Sequence, residues 1–276
     1  MSGRATASVR VLALRAGRAH DWPETVVGEE PLEIRLGPPG GPAHRVAVTM
    51  RTPGRDFELA VGFLVSEGML APRALRAVRY CSGGGGQRYN VVTVEAVGPL
   101  DLSRARAFPV SAACGICGSA SVDDLAGRCE PLAPGPAVPA ATLLGLPDKL
   151  RAAQEVFDAT GGVHAAGLFD ATGGRLVVRE DVGRHNAVDK LLGWQVLAGA
   201  TRRAAGAPAV LAVSGRASFE LVQKAAVGRF PILVAVSAPS SLAVETARRL
   251  NVTLVAFARG DRANVYSASE RVVSAS

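Results

Sequence analysis

The second half of the chain predicts an α/β protein, and three observations carry that reading. Residues 209–213, 232–236 and 253–258 are short, near-continuous runs of Val, Leu, Ile and Ala, the composition of strands buried on both faces. Helical patterns near 219–227 and 242–250 separate them. Each run then gives way to small polar residues or to arginine. Alternation of this kind implies parallel strands joined by right-handed crossovers.

Composition agrees with a folded, water-facing protein. The chain has 276 residues, of which 48% are hydrophobic, enough for a substantial core. No run of about 18 apolar residues offers a membrane span. Arg4 and Arg10 near the start precede no uninterrupted apolar segment, which argues against a secretory leader. Four cysteines are too few for a disulfide scaffold, so a cytoplasmic chain with reduced thiols is expected. The net charge of +7 comes without a lysine-rich tail or an interleaved aromatic stripe. A compact phosphorylated ligand therefore fits better than nucleic acid.

Along the chain, residues 33–36 and 45–50 alternate around the Pro/Gly break at 37–42, predicting two antiparallel strands. A helix is expected from about Asp56 to Glu67, stopped by Gly68. A strand over 89–97 follows the glycine tract 83–86. That tract lacks a Walker ending and a following helix, so it reads as a hairpin connection rather than a phosphate loop. Pro131, Pro134, Pro136 and Pro139 suggest a strap between two lobes. Pro147 is expected to open a helix carrying Leu150, Ala153, Val156 and Phe157, with Gly161-Gly162 ending it. Residues 166–169 and 176–178, around the turn 171–174, read as a hairpin, and a helix follows from about Ala187 to Ala198.

The strand ends are the candidate binding edge. Ser214-Gly215-Arg216-Ala217-Ser218 follows the first apolar run, Ser237-Ala238-Pro239-Ser240-Ser241 the second, and Arg259-Gly260-Asp261-Arg262 the third. Ligands of open α/β sheets bind beyond the carboxyl ends of the strands, where helix N–H groups and arginine favour phosphate. Each loop alone could be ordinary turn chemistry; together they predict a nucleotide-like ligand. The segment 179–186 (Arg-Glu-Asp-Val-Gly-Arg-His-Asn) places His185 among arginines, where it could position a substrate or move a proton. Its alternative is a solvated turn with Asp181 or Asn186 as a helix cap.

Cys114 and Cys117 stand three residues apart among glycine, serine and alanine, a setting that leaves sulfur uncovered. Zinc would need further ligands. A Cys114/Cys117/His164 set would resemble that of the base deaminases, but alanine replaces their glutamate and the order of the motifs is reversed. A thioredoxin-type pair would open a helix directly after a strand. A sulfur carrier needs an exposed, mobile nucleophilic thiol that can reach two partners in turn, which these flanks suit best.

The segments 52–64, 88–91, 114–118, 181–190, 214–221 and 237–243 together resemble the FdhD/NarQ family of formate dehydrogenase accessory sulfurtransferases, in the family's order and over nearly the whole chain. The resemblance implies a cytidine-deaminase-like, three-layer α/β core with a mixed sheet and a smaller N-terminal β-rich lobe. It places the lobe at 1–130, ending in the Cys-x-x-Cys loop, and the cofactor-binding core at 140–276. It implies a homodimer without the deaminase zinc, which takes sulfur from a cysteine desulfurase. The sulfur goes to the molybdenum or tungsten bis(molybdopterin guanine dinucleotide) of formate dehydrogenase. Carried over by position, Cys114 is the persulfide-bearing nucleophile and Cys117 its accessory thiol. Phe257, Ala258, Arg259, Gly260, Asp261 and Arg262 match the cofactor-binding segment. The strand-end pattern adds Arg216, Ser218, Ser240 and His185. The competing expectation is a non-catalytic chaperone for the same cofactor.

Overall fold

A computed structural model describes residues 5–83, 86–100, 102, 129–199 and 207–274. The thiol pair Cys114 and Cys117 lies outside the described residues. So do positions 84 and 85 of the glycine tract.

The chain opens with a hairpin, β1 (Thr6–Arg15) and β2 (Arg18–Val27). Next come β3 (Glu30–Gly37) and β4 (His44–Arg51), then helix α1 (Asp56–Ser66), then β5 (Leu75–Gly83) and β6 (Gly86–Ala96). These last four strands form one sheet in the order β4-β3-β6-β5, with β3 and β6 parallel and the other pairs antiparallel. Ile34, Leu36, Val46, Val92 and Val94 on its inner face meet Leu59, Val61, Phe63 and Leu64 of α1.

The rest of the chain builds a second layer structure. β7 (Val138–Pro139) leads into α2 (Ala140–Arg151) and α3 (Glu155–Thr160). The hairpin β8 (His164–Phe169) and β9 (Arg175–Asp181) follows, then α4 (Arg184–Leu197). The expected alternation comes next: β10 (Val210–Val213), α5 (Phe219–Val227), β11 (Ile232–Ala235), α6 (Ser241–Arg249) and β12 (Thr253–Arg259). β13 (Arg262–Val265) and β14 (Val272–Val273) finish it. The sheet order is β13-β12-β11-β10-β8-β9; β10, β11 and β12 run parallel, while β8, β9 and β13 run antiparallel to their neighbours. Leu143, Leu146 and Leu150 of α2 cover one face. Leu191, Leu221, Val222, Ala243 and Ala247 of α4, α5 and α6 cover the other. This is the expected three-layer α/β arrangement with a mixed sheet.

One helix boundary differs from expectation. Pro147 does not open a helix; it sits inside α2, which starts after Pro139, and α3 is a separate short helix. A proline inside a helix removes one backbone bond, a loss of about 3 kcal/mol in an exposed helix. Here Leu143, Leu146 and Leu150 lie on one face buried on the sheet, and their spacing sustains the helix through the proline. The Gly161 prediction holds, with the glycine ending α3 at φ +66.

Helices α1 and α4 cross with no side chain between their backbones. A Cβ on Gly62 would stand 1.7 Å from the Asp189 carbonyl oxygen, and one on Gly193 would stand 1.8 Å from that of Glu58. Polar groups close the crossing. Lys224 Nζ donates to Asp189 Oδ1 at 2.6 Å, and Ser66 Oγ donates to the same oxygen at 2.9 Å. Nearby, Asp181 is fully buried and accepts from Thr52 N, Gly183 N, Asn186 Nδ2 and Lys190 Nζ.

This close approach makes a sharp prediction. Gly62→Ala or Gly193→Ala is expected to destabilise the chain by at least about 3 kcal/mol in urea unfolding. Gly145→Ala in α2, where an added Cβ meets open space, is expected to stabilise by about 0.5–1 kcal/mol. Equal effects at the three positions would contradict the packing.

Candidate functional site

The carboxyl ends of β10, β11 and β12 converge, and backbone bonds lace their loops together. Ala217 N donates to Ala238 O, Ser240 N to Ala217 O, Ser237 N to Gly215 O and Phe257 N to Ser237 O. Beside them lies a cleft of about 630 Å³ whose walls include Arg151, His164, Val182, Ser214, Val236, Ala258, Arg259 and Gly260. Its far wall comes from α2, α3 and the turn 161–163, elements that the sequence pattern does not assign to the site.

The sequence-predicted residues among the described positions fall in several places. Ala258, Arg259 and Gly260 line the cleft directly. Arg259 Nε also donates to the Val236 carbonyl at 3.2 Å, which ties the third strand end to the second. Phe257, Asp261 and Arg262 stand exposed around the turn from β12 to β13, outside the cleft's lining. Phe257 adopts φ +54 within the irregular register between Ala256 and Arg259, which leaves its ring 41% exposed. A large aromatic held left-handed and open to water is a backbone cost that packing does not repay.

His185 and Ser218 stand together: His185 Nε2 sits 3.4 Å from Ser218 Oγ and 2.6 Å from Glu220 Oε2. Ser218 begins α5 without making a side-chain cap, so its hydroxyl is available to the histidine. Sequence reasoning misses Glu220; its carboxyl is held below the ordinary carboxylate value although burial opposes this, because His185 bonds to it. The Ser240 hydroxyl caps α6 by accepting from Ala243 N at 3.1 Å. This is ordinary helix-start chemistry. Arg216 is exposed, and its charge reaches His164.

Segment 179–186 serves two purposes. Asp181 and Asn186 turn inward to the α1–α4 junction, and Arg179 makes a two-point ion pair with Glu58 across it. Arg184 and His185 begin α4, at the positive end of its dipole, where the first turn holds no acidic residue. A cation there works against the helix dipole, and the carboxylates of Asp181 at Gly183 N and of Glu220 beside His185 offset it. The buried Nε of Arg184 has no acceptor among the described residues, so a donor is held in reserve.

The electrostatics converge on His164. Burial first, and then the charges of Arg184 and His185 with Arg216 adding, hold its imidazole below the ordinary 6.5, while Asp181 opposes them. Burial and neighbouring positive charge both disfavour the protonated ring. Among the described residues no group of His, Cys, Asp and Glu has metal-binding geometry. The cleft thus lies at the strand ends of a three-layer α/β protein, with arginine and histidine side chains along and near its walls.

Comparison with known proteins places the chain in a family. The model of the FdhD/NarQ family matches residues 27–273. The sulfur carrier protein FdhD of Mycolicibacterium paratuberculosis is 51% identical, aligned over 97% of this chain and 98% of its own length. That of Streptomyces coelicolor is 49% identical over 98% and 96%. A crystal structure from Desulfotalea psychrophila, assigned as a candidate formate dehydrogenase accessory protein, superposes with a TM-score of 0.75 at 26% identity. It covers 98% of this chain and all of that one. The chain belongs to the FdhD/NarQ family.

The His164 environment gives a measurable sign. Because the folded-state pKa lies below 6.5, the native chain binds fewer protons than the unfolded chain as pH falls from 6.5, and stability falls with it. Arg184→Ala removes the largest opposing charge, so the NMR titration midpoint of His164 is expected to move upward. A midpoint that stays or falls would contradict the assignment.

Proposed function

We propose that this chain is a sulfur carrier that loads Cys114 with sulfur from a cysteine desulfurase and delivers it to a guanine-dinucleotide cofactor held at the strand-end cleft. The cofactor is the molybdenum or tungsten bis(molybdopterin guanine dinucleotide) of formate dehydrogenase, and it is substrate here. The observation that carries the reading is the cleft at the strand ends: Arg151, His164 and Arg259 line it, and the charges of Arg184 and Arg216 reach His164. Relatives of about half identity along nearly the whole chain, named as sulfur carriers, support the sulfur step.

In loading, the Cys114 thiolate attacks the terminal sulfur of the donor's persulfide. The new bond gives Cys114–S–SH and the donor leaves as its thiolate, so no external oxidant or reductant is needed. Cys117 stands three residues away as the accessory thiol. Phosphates of the acceptor would meet Arg259 and the free donor of Arg184, and the exposed Phe257 ring offers a face for a base. The His185–Glu220 pair can hold or move a proton beside them.

Intact-mass analysis after incubation with a desulfurase and cysteine is expected to show a gain of about 32 Da, one sulfur atom, which Cys114→Ala abolishes. Retention of the gain in that variant would overturn the loading step. Calorimetry with GDP, a fragment of the cofactor, is expected to show binding that Arg259→Ala weakens by about 1.5–3 kcal/mol, or about 10- to 150-fold. No GDP binding to the unsubstituted chain would overturn the cleft reading and leave the mass result standing.

A further inference from the structure

Gln154 lies between α2 and α3 on the far wall of the cleft and is only 3% exposed. Its companions there, Leu150, Val163 and Ala258, are buried and apolar. A buried side-chain amide normally finds partners within the protein. Gln154 stands at the cap position of α3, the natural place for such a bond, yet its side chain makes no capping bond. Glu180 does that work instead, its carboxylate accepting from Val156 N and Phe157 N at 2.9 Å each. The Gln154 amide has no hydrogen-bond partner among the described residues, and it opens on the cleft.

The two walls differ in charge chemistry. On the strand-end wall, Arg259 is exposed and can meet an anion. On the far wall the cation is already engaged: Arg151 pairs with Asp158 at 2.6 Å and lies 4.7 Å over the Phe157 ring. The Ser214 hydroxyl oxygen, between the walls, accepts from Ala165 N. A neutral amide among apolar side chains suits the uncharged ring of a ligand, since pockets of this kind are mostly apolar with a few polar groups that fix orientation.

We propose that Gln154 is a specificity-determining residue that seats a lactam ring, a heterocycle with N–H beside C=O as in guanine and pterin, while the phosphates lie toward Arg259. A primary amide carries one acceptor and two donors at one end, so it can accept from the ring N–H and donate to the ring oxygen in parallel. The guanine-dinucleotide reading of the cleft is presupposed here. That acceptor carries more than one such ring, so a ring at Gln154 leaves another for the exposed face of Phe257.

Gln154→Met keeps the length of the side chain and removes the amide. Because that amide has no partner inside the chain, the variant is expected to unfold in urea at the same midpoint as the unsubstituted chain or a higher one. Calorimetry is expected to show GDP binding weakened about tenfold to a hundredfold, while inorganic pyrophosphate, which has no ring, binds both chains alike. N1-methyl-GDP, whose ring has lost its N–H, is expected to bind the unsubstituted chain at least about tenfold more weakly than GDP, and Gln154→Met to bind the two nucleotides equally. Equal GDP affinity of the two chains overturns the proposal and leaves the strand-end reading standing. So does a lowered urea midpoint, which makes the residue structural, or a loss of pyrophosphate binding in step with GDP. Absence of GDP binding to the unsubstituted chain overturns both.

Discussion

The contact between the backbones of α1 and α4 sets the terms for the rest of the molecule. Gly62 and Gly193 let the two helices approach until carbonyl oxygens occupy the space of a side chain. The polar groups that such closeness buries must then be satisfied from within. Asp181 accepts four donors, and Asp189 accepts from Lys224 and Ser66. Burial pushes the Asp189 carboxyl up, and the Lys224 ammonium beside it is its main counterweight. Removing one partner of such a pair leaves a buried charge without compensation. The network therefore joins the two sheets in one orientation.

That orientation is what places charge at the cleft. Asp181 is the last residue of β9, and its carboxylate bonds Gly183 N at the entry to α4. The chain leaves this anchor with its next two side chains, Arg184 and His185, at the positive end of the helix and within electrostatic reach of His164. The same short stretch thus holds the lobes together and charges the pocket. The ends of β10, β11 and β12 form one wall of the cleft, with Arg259 bonded back to Val236, and α2, α3 and the turn 161–163 form the other.

Much of this is legible in the residues. Buried parallel strands announce themselves as apolar runs, so β10, β11 and β12 fall where their composition puts them. The strand-end loops follow from topology. What escapes is set by tertiary contact. Asp181 and Asn186 read as site or helix-cap residues, and their burial escapes notice because a single sequence does not reveal which polar groups have buried partners. Glu220 lies 35 residues after His185 in sequence and gives no local sign of pairing with it. β1 and β2 lack the period-two burial that marks a half-buried strand, because both faces of the ribbon are open. Pro147 reads as a helix start because the rule for prolines at helix ends is local, whereas the leucine face of α2 is stabilised by the sheet. Cys114 and Cys117 fall outside the described residues, so their role rests on chemistry and kinship.

We propose that the ligand sits in the cleft at the three strand ends, beside His164 and Val182. Hydrogen–deuterium exchange of the full chain with and without GDP tests this directly. Protection confined to segments 150–163, 182–188, 214–218, 237–241 and 257–262 is the predicted result. Protection confined to other segments, or none at saturating GDP, would contradict it.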